Sequence, residues 1–584
     1  MRITIKKSDV IIVIIAALLC FYVGNRAGEA YNSSDEPQII DKLNDTMDGI
    51  YAVADISDIH LSLQKNDIIW GVGAVFCFLL AVLYYVSTRR NYRYGEEHGS
   101  ARWASPSDMQ HNKLIDKKYE NNMLLTQTER MSLNTRQTHK NNNVLIIGGA
   151  GTGKTRGYVK PNLMQLHSSY VITDPKGTVL TECGQMLADA DYRIISFNTL
   201  DFEQSMHYNP FAYVKKEEDI LVMIDLIIKN CKSKDAKDDF WTDYEKLLYQ
   251  ALFSYVFYEL PEDEHTFNSV LQMLREMQVK EEDENFINPV DVLFMELKER
   301  DPDHFAVLQY DNFKLSAGKT AKSVLTCAAT RLAPFNIKAV KELTSSDDMH
   351  LELIGSQKTA LFIIIDDMSS TYNFLAAMLY TQLFKTLCDV ALKEYGGRLP
   401  VHVRCILDEF ANIGQIPDFE KVISVIRSRE ISVSIIVQNE AQIKALYKDN
   451  KGTIIGNCDT TLFLGSGETE TAKSMSERVG KETIDHRGTS TTKGQQGSFS
   501  MQDQIIGREL ITPAEVSLLR DDECLLFIRG LRPFKSKKFN IKAHRNYKKL
   551  SDYNEDNAFD IMEYYRKLDE EDIILDDIEL DEKI

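Results

Sequence analysis

Polar and apolar positions divide this chain into an apolar beginning and a long remainder where short apolar runs alternate with mixed stretches. Residues 68–86, "IIWGVGAVFCFLLAVLYYV", are nineteen positions without a charge. As a helix they would reach roughly 28 Å, close to the ~30 Å hydrocarbon thickness of a bilayer. An earlier run, Val10–Gly24, is fifteen residues long, with Arg2, Lys6 and Lys7 before it and "GEA" at 28–30 after it. It is expected to be a first span, with a cleavable signal peptide as the competing reading. The stretch between, 26–67, holds nine acids against three bases, as an external loop tolerates. Arg89, Arg90 and Arg93 follow the second run and place the main body in the cytoplasm by the positive-inside rule. The expected anchor is therefore multi-pass in the inner cell membrane. It covers residues 1–94, with spans at about 10–24 and 68–86 and an external loop at 25–67.

Beyond the anchor the apolar runs shorten to strand length. "NVLIIG" (143–148), "KTALFIIID" (358–366), "VHVRCILDEF" (401–410), "SVSIIVQNEAQ" (432–442) and "ECLLFIRG" (523–530) each contain a buried strand. Between "YNPF" (208–211) and about residue 345, such runs are scarce. There Trp241, Tyr244, Leu248, Ala251, Leu252 and Tyr255 fall at helical spacing and make one apolar face. Aromatic side chains so placed are core rather than a platform for stacking bases. The stretch "DHRGTSTTKGQQGSFSMQD" (485–503) shows no periodicity and is expected to be a flexible loop. The class is α/β.

Composition narrows the functions. A net charge of −19 excludes a general nucleic-acid coat, so any DNA would be met through local basic surfaces. Residues 551–584 hold fourteen Asp/Glu against three Lys/Arg, and are expected to be a solvated tail. Just upstream, residues 529–549 carry nine Lys/Arg and no acid. The nine cysteines are dispersed without a CxxC, which reads as reduced thiols and not as disulfides or a zinc site.

The chemistry centres on "VLIIGGAGTGKT" (144–155), which satisfies GxxxxGK[ST] after a strand and before a helix-capable segment. Gly148, Gly149, Ala150, Gly151, Thr152, Gly153, Lys154 and Thr155 are the expected cradle for ATP. Lys154 would meet the β- and γ-phosphates and Thr155 would offer its hydroxyl to Mg²⁺. Gly157 and Pro161 weaken the helix that follows, and Lys160-Pro161 is a place for a kink. Asp408 ends an apolar strand and is expected to hold the magnesium's outer water, with Glu409 activating the attacking water. Gln438, at the end of the next strand, would touch the γ-phosphate or its water, against the plain alternative of a strand-end amide. Arg427 or Arg429 in "SVIRSREIS" (424–432) could reach a neighbouring subunit's nucleotide, or be an ordinary exposed helix-end arginine.

With the P-loop, "ILDEF" and "IIVQNEAQI" in this order behind two apolar runs, the chain resembles the coupling proteins of type IV secretion and conjugation. These are membrane-anchored ATPases that bring DNA–protein substrates to an export channel. "GSARWA" (99–104), "TDPKG" (173–177), "YNPF", "KSVLTCAATRLAPF" (322–335) and "NFLAAMLYTQLF" (373–384) also match, so the likeness covers roughly residues 95–535. It implies a RecA-like P-loop NTPase domain (95–206 and 351–545) with an inserted all-α domain (207–350), followed by the acidic segment 546–584. It further implies a homo-hexameric ring, cofactors ATP and Mg²⁺, and three partners: single-stranded DNA with an attached relaxase-type protein, the components of a type IV secretion channel, and the cell membrane. Cargo recognition would fall by default to the all-α domain. No nickase-like cluster of histidines or paired tyrosines is seen, so the nicking enzyme is expected to be separate.

Three functions compete on this basis. The first is an ATP-driven motor for single-stranded DNA. The second is a non-motor membrane receptor that uses ATP as an assembly switch, and the third an exporter of protein effectors only. An ABC-type transporter is disfavoured by the small number of spans and the lack of an LSGGQ-like signature. An FtsK-like translocase would share the P-loop and ring but not the matching secondary stretches.

Overall fold

The first apolar runs form helices α1 (Lys7–Ser33) and α3 (Lys65–Thr88), with α2 (Ile39–Ala52) between them. This is seen in a computed structural model that describes residues 7–35, 38–52, 59–88, 96–231, 239–278, 286–315, 318–492, 498–568 and 570. The chain divides into two units, residues 1–97 and 98–584. In the first, α1 and α3 are long and apolar enough to cross a membrane, over Ile11–Ser33 and Lys65–Tyr85. Helix α1 runs on past the expected end of the first span at residue 24 and takes in part of the expected external loop, as does α2. At Gly28 the helices touch so closely that a Cβ would lie 2.7 Å from Trp70 Cβ, so only glycine fits. One turn earlier on α1, Asn25, fully buried, exchanges hydrogen bonds with the backbone of Ser62, just ahead of α3, at 3.0 and 2.9 Å. The basic run Arg89, Arg90 and Arg93 lies outside the described residues.

The second unit is built on a nine-stranded sheet. Its strands are β1 (Val144–Ile147), β2 (Ser169–Thr173), β3 (Arg193–Asn198), β4 (Thr359–Ile364) and β5 (Val403–Leu407). They continue with β6 (Ile431–Val437), β7 (Thr460–Phe463), β8 (Glu523–Ile528) and β9 (Phe534–Lys537). Their spatial order is β9-β8-β7-β1-β6-β5-β2-β4-β3. The strands from β7 to β3 in that order are all parallel, and β8 runs antiparallel to both β7 and β9. Strands buried on both faces need apolar residues at every position, which explains the unbroken "VLII" and "TALFII". Leu145, Ile147, Val171 and Leu361 enter one core, and Val144, Ile146, Ile172 and Phe362 the core on the other face.

Between β3 and β4 every described helix or strand is helical, from Glu217–Asn230 to Lys338–Leu343. Leu248, Ala251, Leu252 and Tyr255 are buried there, and Trp241 and Tyr244 pack against the same cluster, so this aromatic face is core. The cluster is continuous with one face of the sheet. Helix Asn373–Lys393 is also long and apolar enough to cross a membrane, yet most of it is buried in this core.

Two expectations are corrected. Most of the stretch 485–503 is strand and not loop: Lys481–Thr492 and Ser498–Glu509 pair as two long antiparallel strands, and residues 493–497 lie outside the described residues. A two-stranded ribbon is held by its own ladder and needs no apolar alternation, which is why its sequence shows none. Nor is the start of the acidic tail free in solvent. Leu550, Phe559 and Ile561 are buried, and residues 561–568 form a helix. Within it the Tyr564 and Tyr565 hydroxyls accept the backbone N–H groups of Ile194 and Ser196 on edge strand β3, at 3.3 and 2.9 Å. Residues 571–584 lie outside the described residues.

Phe559 sits where a Cβ on Gly184 would approach its ring to 2.4 Å. Replacing Gly184 with Leu is therefore expected to cost about 1–3 kcal/mol by overpacking and to loosen this C-terminal strap. Limited proteolysis of the variant would then cut beyond residue 550 faster than in the unaltered chain; equal rates would contradict this packing.

Candidate nucleotide-binding site

Parallel strands all point their C-terminal ends to one edge of the sheet, and the crevice there is where open α/β sheets bind ligands. In this molecule β1, β5, β6 and β7 lie side by side. Their ends deliver four segments to that edge: the glycine loop, Asp408-Glu409, Gln438 and the turn at Leu464–Gly465. The loop is fastened at both flanks, Gly148 N–H donating to Val437 O at 3.0 Å and Gly149 N–H to Gly465 O at 2.9 Å. Gly151 and Gly153 take φ of +75° and +84°, in the left-handed region that a side chain disfavours.

After the loop the chain does not enter a regular α-helix. Residues Thr155–Val159 make a wider π-type turn, in which Lys160 N–H reaches back to Thr155 O, before Lys160–Leu163 resumes an α-helix. Pro161 has no N–H to give, and its ring would crowd the carbonyl four residues back, so widening the preceding turn relieves both. The expected kink is thus a local expansion of the helix.

The catalytic candidates meet here. Lys154, 9% exposed, donates to Gly148 O at 3.0 Å and pairs with Glu409 Oε1 at 3.2 Å. Gln438 Nε2 donates to Glu409 Oε2 at 3.3 Å, so the glutamate is shared between the lysine and the glutamine. Thr155 Oγ1 donates to Asp408 Oδ2 at 3.3 Å, while Asp408 Oδ1 accepts from Glu409 N–H at 2.9 Å. Glu409 has φ +47°, a strained backbone for a residue with a Cβ. That strain turns the residue after Asp408 back toward Lys154.

Burial pushes the Asp408 carboxyl up to about 6, with the neighbouring Glu409 charge adding to it and Lys154 opposing it. A divalent cation at this position would reverse the shift, because its charge favours the ionised form. A hydroxyl and a buried carboxylate 3.3 Å apart suit Mg²⁺, which takes few protein oxygens and completes its shell with water and phosphate. Among the described residues no cluster of three or more His, Cys, Asp or Glu could hold a metal alone. Thr155 and Asp408 are the residues that would hold a nucleotide's Mg²⁺.

Arg427 is not brought to this centre. It is exposed in the turn Ile426–Arg429, ahead of the first residue of β6, whereas Gln438 follows the last. Seven strand residues, about 23 Å at ~3.3 Å each, separate those ends. Arg429 sits in the same turn, donating to Ser428 Oγ at 2.7 Å. The acid of "TDPKG" is structural, since Asp174 Oδ2 caps helix Thr178–Ala188 by accepting from Val179 and Leu180 N–H at 2.7 and 3.0 Å.

One site residue carries almost no mark in the sequence. Lys538, just past β9, donates to the Thr152 carbonyl of the glycine loop at 2.9 Å. Its only signal is membership of the basic run 529–549.

Comparison with known proteins finds relatives over most of the chain. The family described as "Type IV secretory system Conjugative DNA transfer" matches residues 102–550. Protein VirD4 of Rhizobium radiobacter is 24% identical over 507 residues, covering 83% of this chain and 70% of that protein. Conjugal transfer protein TraG of Escherichia coli is 23% identical over 473 residues, covering 73% and 70%. Among solved structures, the bacterial conjugative coupling protein TrwBdeltaN70 superposes with a TM-score of 0.55 at 14% identity, covering 77% of this chain and 96% of that one. Plasmid coupling protein TrwB in complex with ADP and Mg²⁺ gives a TM-score of 0.52 at 15% identity, over 75% and 94%. The fold is thus that of the conjugative coupling protein TrwB. A match over residues 102–550, most of the chain, settles the family: this chain belongs to the type IV secretory system conjugative DNA transfer proteins.

Proposed function

We propose that this chain is a membrane-anchored ATPase that couples DNA–protein substrates to a type IV secretion channel and drives single-stranded DNA transfer by ATP hydrolysis. The observation that carries this reading is the meeting of Lys154, Thr155, Asp408, Glu409 and Gln438 at one sheet edge, from three distant parts of the chain. The nucleotide complexes of TrwB, a coupling protein of the same fold, support it.

In this reading the phosphates displace Glu409 from Lys154, and the lysine neutralises charge on the β- and γ-oxygens. Freed from the lysine, Glu409 takes the proton of the attacking water, which Gln438 helps to orient. The bound Mg²⁺ supplies charge stabilisation to the phosphates. Asp408 and Thr155 keep their oxygens where that cation belongs. Within the proposed homo-hexamer Arg427 would act on the site of the next subunit, since its own site lies at the other end of β6.

The main body belongs in the cytoplasm, with α1 and α3 as the spans of an inner-membrane anchor. DNA and its attached relaxase-type protein would pass to the channel components, the strand being gripped through phosphate contacts of Lys and Arg. The helical stretch between β3 and β4 is the proposed all-α cargo domain.

Two measurements on the full-length chain test this. Glu409→Gln is expected to lower the ATPase kcat by about 10²–10⁴-fold, with nucleotide binding preserved and DNA transfer abolished. Normal transfer by that variant would leave ATP only the role of an assembly switch. Single-stranded DNA is expected to stimulate the unaltered ATPase, and the stimulation to fall steeply as salt rises from about 50 to about 200 mM. An ATPase indifferent to DNA at every salt concentration would contradict a DNA pump.

A further inference from the structure

Among the described residues the largest side chain wholly withdrawn from solvent is a charged one, Arg404. It stands within β5, between Val403 and Cys405, and among the described residues no carboxylate pairs with it. Its Nη1 donates to Asn162 Oδ1 at 2.8 Å and its Nη2 to the Tyr158 hydroxyl at 2.7 Å. The guanidinium carbon lies 5.6 Å from the Tyr158 ring centroid, and Nε has no hydrogen-bond partner. A buried cation answered only by dipoles and a ring face is expensive to keep, and packing alone would be served better by an apolar residue. Fixing the register of neighbouring elements is the best-attested use for such a group.

The partners show which elements are registered. The Tyr158 hydroxyl also bonds Ser434 Oγ at 2.9 Å, on β6. Asn162 spends all of its amide: Oδ1 accepts from Arg404 and from Leu124 N–H, and Nδ2 donates to Leu124 O and Tyr158 O. Tyr158 stands four residues after Lys154, Arg404 four before Asp408, and Ser434 four before Gln438. One polar layer beneath the nucleotide site therefore joins the helix of the glycine loop to both catalytic strands. The nearby His167 is held well below its usual range by burial, with the Arg404 charge adding to it.

We infer that Arg404 is a positioning residue for nucleotide hydrolysis. Its rigid fork sets the helix bearing Lys154 and Thr155 in register with the strands bearing Asp408, Glu409 and Gln438. An ammonium lacks that planar fork and would hold the two partners less firmly. The inference rests on the ATPase reading above.

The test compares Arg404→Met, Arg404→Lys and Tyr158→Phe in the full-length chain, by kcat, KM for ATP and thermal midpoint. A misplacement near 1 Å can cost about 10²-fold in rate, so Arg404→Met is expected to lose about that much in kcat while KM for ATP stays within about threefold. Arg404→Lys should recover part of the loss. Tyr158→Phe, which removes one oxygen and leaves the charge in place, should lower kcat several-fold at an unchanged midpoint. Undiminished kcat in Arg404→Met and Tyr158→Phe would overturn the inference. So would losses that merely follow a lowered midpoint and vanish on cooling, since those mark a purely structural residue. An unaltered chain that hydrolyses no ATP would instead overturn the reading on which the inference rests.

Discussion

A lysine only 9% exposed has to be answered by opposite charge or by carbonyl oxygens, and Lys154 is answered by both. Gly148 O and Gly149 O accept hydrogen bonds from its ammonium, and Glu409 supplies the charge. That ion pair needs a glycine loop curled tightly enough to present carbonyls to its own lysine. It also needs a strand, β5, ending at the level of that loop, and a backbone at Glu409 forced into the left-handed region. Each requirement is met by sheet topology, because β6 spaces β5 from β1 by one strand and both end at the same edge. Lys154, Glu409 and Gln438 thus form a closed circuit of protein groups, and in the proposed reading a triphosphate would compete with the carboxylate for the lysine.

The rest of the second unit serves to hold that edge. One face of the sheet is covered by the helices between β3 and β4 and by Asn373–Lys393. The other is covered by the helix of the loop, by Thr178–Ala188 and by the C-terminal strap. Lys538, ahead of the strap, touches the loop at Thr152, and the strap itself ties to the loop helix where Lys160, nearly fully buried, meets Asp552 as well as Glu182 of Thr178–Ala188. It ends by occupying the free N–H groups of edge strand β3, which would otherwise offer a template for pairing with another chain. A segment dominated by acids in composition thereby becomes part of the structural frame.

How much of this was legible in the sequence follows from the physics of each element. The places of the loop, Asp408, Glu409 and Gln438 were readable because buried parallel strands are unbroken apolar runs, and these candidates follow them directly. The strand pair 481–492 and 498–509 was not, since a self-paired polar ribbon leaves no alternation behind. The strap was masked because a few anchors, Phe559, Ile561, Tyr564 and Tyr565, are diluted among charges. Lys538 and Arg404 were invisible for a different reason. Their roles depend on partners 386 and 246 residues away, and a charge in a strand pattern reads as solvent-facing until the fold closes over it. Arg427 stands at the opposite limit: its residue type was suggestive, but its place in one chain is the far end of β6.

The most direct test is a map of the full-length chain with Mg²⁺ and a non-hydrolysable ATP analogue bound. It should show a single ion at Thr155 and Asp408, the terminal phosphate on Lys154, and Glu409 released from the lysine to face that phosphate. A nucleotide bound elsewhere, or an ion that Thr155 and Asp408 do not share, would contradict the account.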